Sequence, residues 1–337
     1  MVITISHLGY IKRTALTEFR EQSRGGVGSK GAHTRDEDFT EYIYPATMHN
    51  TLLFFTQKGR CYWLKCYEIP EGAKNSKGRA IQNLLNIEAD DAINAVLRIK
   101  NFNDKEFVDS HYVVFATRNG IIKKTCLEAY SRPRANGVNA INILEGDQVV
   151  GVRLTNGHNE LLLANRNGRA IRFNEEELRP MGRVSTGVRG MRLDGGDDEV
   201  VGLVCVNDPQ TETIMVVSEN GYGKRSDVDD YRKTARGAKG VKTISITEKT
   251  GRLVAIKVVT DENDLMIINK SGILIRLKVA DVRVMGRATQ GVRLINLTKK
   301  NDVIASVCKV MTETEEEPQI IVVPEESQIE DIPENIE

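Results

Sequence analysis

The sequence predicts an all-β chain in which six four-stranded blades stand radially in a closed ring. Three observations carry that prediction. A hairpin pattern recurs six times, a second glycine follows each hairpin at a nearly constant distance, and apolar periodicity of the helical kind is almost absent.

The hairpin opens each repeat. The copies read ITISHLGYIKRT, LLFFTQKGRCYWLK, VVFATRNGIIKKT, LLLANRNGRAIRF, IMVVSENGYGKRS and LMIINKSGILIRL. Each is an apolar alternating strand, a tight turn with glycine, and a strand that carries basic residues. The turn glycines are Gly9, Gly59, Gly120, Gly168, Gly221 and Gly272, at intervals of 50, 61, 48, 53 and 51 residues. Asn-Gly and similar pairs between alternating runs predict two-residue primed turns, because a positive φ suits glycine and the turn matches the strand twist.

The second glycine comes next. Gly28, Gly78, Gly187, Gly240 and Gly291 lie 19 residues after the turn glycine, and Gly137 lies 17 after. Alternating strands such as GVNAINI, GVRGMRL, GVKTISI and GVRLINL follow, and a further apolar strand such as DQVVGVRL, DEVVGLVCV or RLVAIKVV closes most repeats. Four short strands per repeat describe radial repetition of small sheets. The lack of a Gly-His…Trp-Asp signature separates the pattern from Trp-Asp repeats. The single tryptophan, Trp63, is expected to pack within a blade, and the 61-residue interval to hold a longer loop around residues 100–110. Two unrelated β-domains are the competing arrangement. At Thr312 the repeat stops: residues 312–337 contain nine Glu, one Asp and no Lys or Arg. The expected organisation is therefore a ring over 1–311 and a disordered acidic tail over 312–337, whose IIVV run offers an alternative edge strand.

Charge is balanced at 47 basic against 47 acidic residues, but the tail holds ten of the acidic ones, so residues 1–311 carry ten more basic than acidic residues. A basic body with an acidic tail points to a polyanionic partner. The five cysteines form no Cys-x-x-Cys pair, which argues against a disulfide framework or zinc site and fits reduced thiols in the cytosol. No signal-like stretch and no run of transmembrane length is present, so a cytoplasmic location is expected.

The repeat places cations as well as strands. Four residues after the turn glycine stand Arg13, Trp63, Lys124, Arg172, Arg225 and Arg276, and Lys12, Lys123 and Lys224 precede three of these. Four before the second glycine stand Arg24, Lys74, Arg183, Arg236 and Arg287, with Arg134 three before in its repeat. Two after it come Lys30, Arg189, Lys242 and Arg293. Cations at equivalent positions of a ring predict a basic belt suited to the phosphate backbone of double-stranded DNA, bound with strong salt dependence and little sequence preference. A curved belt also favours bent DNA. The plain alternative is that these residues solubilise turns and sheet edges.

The loop of the first repeat, EQSRGGVGSKG, combines four glycines with Arg24 and Lys30, which lets backbone approach a phosphate closely. It resembles the gyrase box, pattern QRRGGKG, of the C-terminal domain of DNA gyrase A subunits; the matching residues are Gln22, Ser23, Arg24, Gly25, Gly26, Val27 and Gly28. The stretches EDFTEYIYPATMHNTLLFFTQKGRCYWLKCYEIPEG, SKGRAIQNLL, YSRPRANGVNAI and RPMGRVSTGVRG are also similar to that family. The resemblance covers residues 1–311. It implies a six-bladed β-pinwheel, in which neighbouring blades exchange strands, whose rim wraps DNA in a right-handed turn for ATP-dependent negative supercoiling. It also implies two partners, an N-terminal catalytic region and gyrase B, in an A2B2 heterotetramer. ATP and Mg2+ then act through gyrase B, with no cofactor in this fragment. Ser23 and Val27 stand where the pattern has cations, and Lys30 lies just outside it.

None of the nine tyrosines follows an arginine, as the catalytic tyrosine of that family does, so the chain is expected to be a non-catalytic fragment that starts inside the first blade. His7, His33, His49, His111 and His158 lack metal-ligand spacing, and Asp90-Asp91 and Asp197-Asp198 read as turn chemistry, so no metal is expected. Two other readings stay open: the C-terminal domain of the topoisomerase IV counterpart of gyrase A, with weak wrapping, and a propeller-type protein-interaction scaffold.

Overall fold

Glycine closes each hairpin, though not in the turn the dipeptides predict. The computed structural model describes residues 1–6, 8–15, 40–73, 76–269, 274–297 and 302–311. In its five described turns the N–H of Gly9, Gly59, Gly120, Gly168 or Gly221 donates to the carbonyl three residues earlier, at 2.9–3.0 Å, with the glycine φ between +76° and +83°. The glycine is therefore the fourth residue of its turn, not a central residue of a primed two-residue loop. The reason lies in the residue that ends the first strand. Ser6, Thr56, Thr117 and Asn165 each accept, through a side-chain oxygen, the N–H of the residue after the glycine at 2.8–3.2 Å. That extra bond holds a wider corner, and the same residues sit at a one-residue register shift against the neighbouring inner strand.

The six hairpins build six antiparallel sheets. From the centre outwards, blade 1 is Thr40–Pro45, Val2–Ser6, Tyr10–Thr14 and Arg79–Ala80; blade 2 is Ile93–Ile99, Thr51–Thr56, Arg60–Lys65 and Val138–Asn139. Blade 3 is Val149–Thr155, Tyr112–Thr117, Ile121–Cys126 and Val188–Arg189; blade 4 is Val200–Val206, Glu160–Asn165, Arg169–Asn174 and Val241–Lys242. Blade 5 is Leu253–Val259, Thr213–Ser218, Tyr222–Asp227 and Val292–Arg293, and blade 6, among the described residues, is Ile304–Met311, Asn263–Asn269 and Leu274–Lys278. Inner strands of blades 2 to 6 pack against one another in succession, and the inner strand of blade 6 meets that of blade 1, which closes the ring.

Each described outer strand arrives late. Arg79–Ala80 pairs with Tyr10 and Ile11 only after the chain has formed the hairpin of blade 2, and the outer strands of blades 2 to 5 likewise follow the hairpin of the next blade. Neighbouring blades thus exchange strands. The second glycine makes this possible. Gly78, Gly137, Gly187, Gly240 and Gly291 all have positive φ, and an added Cβ at any of them would strike the carbonyl of the strand residue two beyond the turn glycine.

Strand side chains alternate between the two seams that flank a blade. Among the described residues the core accordingly falls into five inter-blade clusters, represented by Ile5 with Phe54, Phe55 with Phe115, Ile122 with Leu163, Leu162 with Val216, and Val217 with Ile267. The longest interval contains a short helix, Lys105–Ser110, where a loop was expected. Asp104 caps it by accepting the Phe107 N–H at 3.1 Å, and Phe107 packs on the cluster between blades 2 and 3.

Candidate nucleic-acid interface

The cations that the repeat aligns divide into two groups, one inside the ring and one on its perimeter. Lys12, Lys123, Lys124, Arg172, Lys224 and Arg225 are buried, with at most 8% of their surface exposed. Placing them on a DNA-contacting rim is corrected by this geometry. Their heads donate to backbone carbonyls inside the seams, and a donor held there cannot reach an external phosphate.

The position four after the turn glycine follows one rule. Arg13 Nε donates to Ile69 O at 2.6 Å, Trp63 Nε1 to Tyr130 O at 2.8 Å, Arg172 Nη1 to Tyr231 O at 3.0 Å and Arg225 Nε to Val282 O at 2.5 Å. In each case a side chain of one blade satisfies the carbonyl at the end of the 3-10 turn that follows the next blade's hairpin. Lys124 donates to Glu175 O at 3.0 Å in the corresponding seam. Trp63, the apparent exception in a basic series, obeys the rule because an indole N–H can do what a guanidinium N–H does. Arg13 is half-buried and also pairs with Glu71 at 3.0 Å. Arg276 is exposed but bonds the buried Asp264 at 2.6 Å.

The position three after the turn glycine is internal for a related reason. Lys12 Nζ donates to Ala73 O and Ser76 O at 3.1 and 2.8 Å, Lys123 Nζ to Ala140 O and Arg183 O at 2.7 and 2.6 Å, and Lys224 Nζ to Gly286 O at 2.6 Å. Burial, with the Arg183 charge second, pushes the Lys123 ammonium down to about 7. Burial likewise pushes Lys224 down to about 8.

The perimeter group is what an external polyanion meets. Arg189, Lys242 and Arg293 occupy the outermost, exchanged strands of blades 3, 4 and 5, and all three are exposed. Arg183, Arg236 and Arg287 are half-exposed on the turns leading into those strands, and Arg134 is exposed on the turn leading into the outer strand of blade 2. Two of these turns are tied to the blade before them. Arg236 Nη1 donates to Arg189 O at 3.2 Å, and Arg287 Nη1 donates to Lys242 O at 2.8 Å. Each bond sets two cations side by side across a seam. Arg293 is steadied differently, by the Tyr222 hydroxyl at 2.9 Å and by the face of its ring.

Sequence spacing missed Arg79, which is exposed on the outer strand of blade 1, and Lys77, whose ammonium lies 3.7 Å above the Tyr10 ring. In blade 1 the cation precedes the alanine of the two-residue strand, so the fixed offset passed over it; the Lys77-Gly78-Arg79 triplet was the available signal. Lys74 and the whole gyrase-box segment, Gln22, Ser23, Arg24, Gly25, Gly26, Val27 and Gly28 with Lys30, lie outside the described residues.

Among the described residues no cluster of His, Cys, Asp or Glu could hold a metal ion, and no helix is long and apolar enough to cross a membrane. The family model described as "DNA gyrase C-terminal domain, beta-propeller" matches residues 1–46, 50–100, 111–156, 159–207, 212–260 and 263–308, one segment for each blade. The DNA gyrase A protein of Staphylococcus aureus (strain NCTC 8325 / PS 47) is 44% identical over 317 residues, which cover 94% of this chain and 35% of that protein. The chain thus spans about a third of the length of the curated relatives it matches. A crystal structure of the C-terminal domain of DNA topoisomerase IV superposes with a TM-score of 0.77 at 29% identity, covering 93% of both chains. A structure of a DNA gyrase A C-terminal domain superposes with a TM-score of 0.74 at 24% identity, covering 92% of this chain and 99% of that one, and so shares its fold. Six matched segments on six blades, joined to 44% identity along nearly the whole chain, place this protein in the DNA gyrase C-terminal domain, beta-propeller family.

Proposed function

We propose that the ring of residues 1–311 binds double-stranded DNA along its perimeter and bends it into a right-handed wrap, largely without sequence preference. One observation carries this reading: Arg79, Arg134, Arg183, Arg189, Arg236, Lys242, Arg287 and Arg293 succeed one another along the outer strands and entering turns of blades 1 to 5. Charges in that order follow a line of phosphates, which has no preferred side, and the attraction summed along a curved edge offsets the cost of bending. In this reading the domain serves a cytoplasmic DNA gyrase. It works with an N-terminal catalytic region and gyrase B in an A2B2 assembly, where ATP and Mg2+ act through gyrase B to drive negative supercoiling.

The test is topological. The chain is bound to relaxed closed-circular DNA, treated with a nicking-closing enzyme, and the linking number is read. A positive shift is expected, and it should shrink in the variant Arg189→Ala/Arg236→Ala/Lys242→Ala/Arg287→Ala. The slope of log affinity against log salt should fall by about 0.9 for each phosphate no longer neutralised. Binding without a shift would favour weak wrapping of the topoisomerase IV kind, and no binding at low salt would overturn the reading.

The acidic segment 312–337 is assigned, in the same reading, as an internal competitor that imitates a polyphosphate. Ending the chain at Met311 is then expected to tighten duplex binding in a low-salt mobility-shift titration. Equal affinity with and without the segment would remove that role.

A further inference from the structure

The turns that enter the outer strands of blades 1, 3 and 5 each stand over a lysine from the hairpin of the same blade. Lys12, Lys123 and Lys224 are at most 2% exposed, and each meets its turn at two points. The stem lies under the end of the turn. An added Cβ at Gly78, Gly187 or Gly291 would sit 3.1, 3.0 or 3.2 Å from the Cβ of Lys12, Lys123 or Lys224. The ammonium reaches an earlier part of the same turn. Lys12 Nζ donates to Ser76 O at 2.8 Å, Lys123 Nζ to Arg183 O at 2.6 Å and Lys224 Nζ to Gly286 O at 2.6 Å. In every case the carbonyl belongs to a perimeter cation or to the residue directly before one, the cations being Lys77, Arg183 and Arg287.

In two of the blades a hydroxyl two residues beyond the lysine takes hold where the turn begins. Thr14 Oγ1 donates to Gly72 O at 2.9 Å, and Ser226 Oγ donates to Met285 O at 2.8 Å. The residue between lysine and hydroxyl serves another place: Arg13, Lys124 and Arg225 donate to the carbonyls of Ile69, Glu175 and Val282, all before the turn starts. The chain leaving the outer strand of the preceding blade supports two of the turns from the side, through Asn142 N to Ser185 O at 3.1 Å and Ser245 N to Thr289 O at 3.0 Å. Blades 2 and 4 have Tyr62 and Ile171 at the lysine position. Their turns are held by other means, Arg60 Nη2 donating to Asn136 O at 2.7 Å and Glu177 accepting the Arg236 N–H at 2.9 Å.

A cation that must first be ordered loses part of its attraction for a phosphate to that ordering, whereas one already held in place does not. Lysine suits such a brace. Its four-carbon stem fills the space beneath the backbone, and a bond from an ammonium to a carbonyl is roughly twice as strong as one between neutral groups. We propose that Lys12, Lys123 and Lys224 are positioning residues for DNA binding, each bracing from inside its blade the turn that presents Lys77, Arg183 or Arg287 to the phosphate backbone. The assignment rests on DNA lying along the perimeter. It gives a function to three buried lysines whose removal from water opposes folding.

A double-mutant cycle on the 337-residue chain tests it, read as duplex affinity by fluorescence anisotropy over a range of salt. Arg183→Ala is expected to lower the slope of log affinity against log salt by about 0.9, the share of one phosphate. Lys123→Met keeps the stem and removes the ammonium, and it is expected to lower the slope by the same amount although its side chain meets no solvent. In the Arg183→Ala background the lysine substitution should then change affinity by less than about twofold, because the turn it braces no longer carries the contact. A lysine acting through its own charge, or by supporting the whole blade, would weaken binding equally with and without Arg183, and that result would overturn the proposal. So would a folded Lys123→Met chain that keeps the unaltered slope while Arg183→Ala lowers it. An unaltered slope in Arg183→Ala itself would overturn the DNA reading of this turn, and the positioning role with it. Urea midpoints measured alongside show which variants are folded. Should Lys123→Met fail to fold, Lys224→Met with Arg287→Ala runs the same cycle in blade 5.

Discussion

Replacing Arg172 by methionine is expected to cost the fold about 3–5 kcal/mol, the usual range for breaking a buried charge pair from one side. Its side chain is 4% exposed. Its guanidinium bonds Glu160 at 2.6 Å through Nε and the carbonyls of Val228 and Tyr231 at 2.8 and 3.0 Å through Nη1. Methionine fills the space of the aliphatic stem but leaves the half-buried Glu160 with Lys233 as its remaining cation and strands two carbonyls in the seam between blades 4 and 5. Arg172→Lys keeps the charge but not the fork that spans Glu160, Asp229 and the two carbonyls, so an intermediate loss is expected. Urea unfolding checks this, with Arg189→Met as reference, since an exposed cation on an outer strand should move stability by no more than about 0.5 kcal/mol. Similar urea midpoints for Arg172→Met and Arg189→Met would show that the buried cations do not hold the blades together.

The second large effect is expected at Gly187. Its φ is +105°, and a Cβ there would lie 2.6 Å from the carbonyl oxygen of Ile122, a backbone atom of the strand it must pass. Alanine therefore meets a conformational penalty and a collision that no side-chain rotation relieves, together about 3 kcal/mol or more. The loss should be local. Val188–Arg189 would detach from Ile121–Cys126, carrying Arg183 and Arg189 with it. Gly187→Ala should thus lose both stability and DNA affinity, whereas Gly146→Ala tests positive φ alone, at +73° with open space around the Cβ. If the two alanine variants unfold together, the close approach at Gly187 is not what makes glycine necessary.

The architecture was legible because its signals are local and repeated. Each hairpin, each second glycine and the long interval could be read from spacing, and strands formed at all six hairpins. Strand exchange could not be read from spacing alone; the family resemblance supplied it, because which sheet a two-residue strand such as Val138–Asn139 joins depends on tertiary pairing. The candidate interface was legible only in part. Equivalent cations were correctly aligned, but alignment does not tell a cation that serves a carbonyl from one that meets solvent. Trp63 held the clue. A donor without charge in the same register implies that the register needs an N–H, and Arg13, Arg172 and Arg225 confirm it.

Strand exchange also orders events as the chain leaves the ribosome. Arg79 follows Thr14 by 65 residues, so blade 1 waits with an unpaired outer edge until the hairpin of blade 2 has been translated. Every later blade with a described outer strand inherits the same delay, which makes assembly a relay in which each repeat completes its predecessor. A message cut short anywhere among these repeats would release a product whose last finished hairpin still shows a bare strand edge, the surface most prone to pairing with another nascent chain.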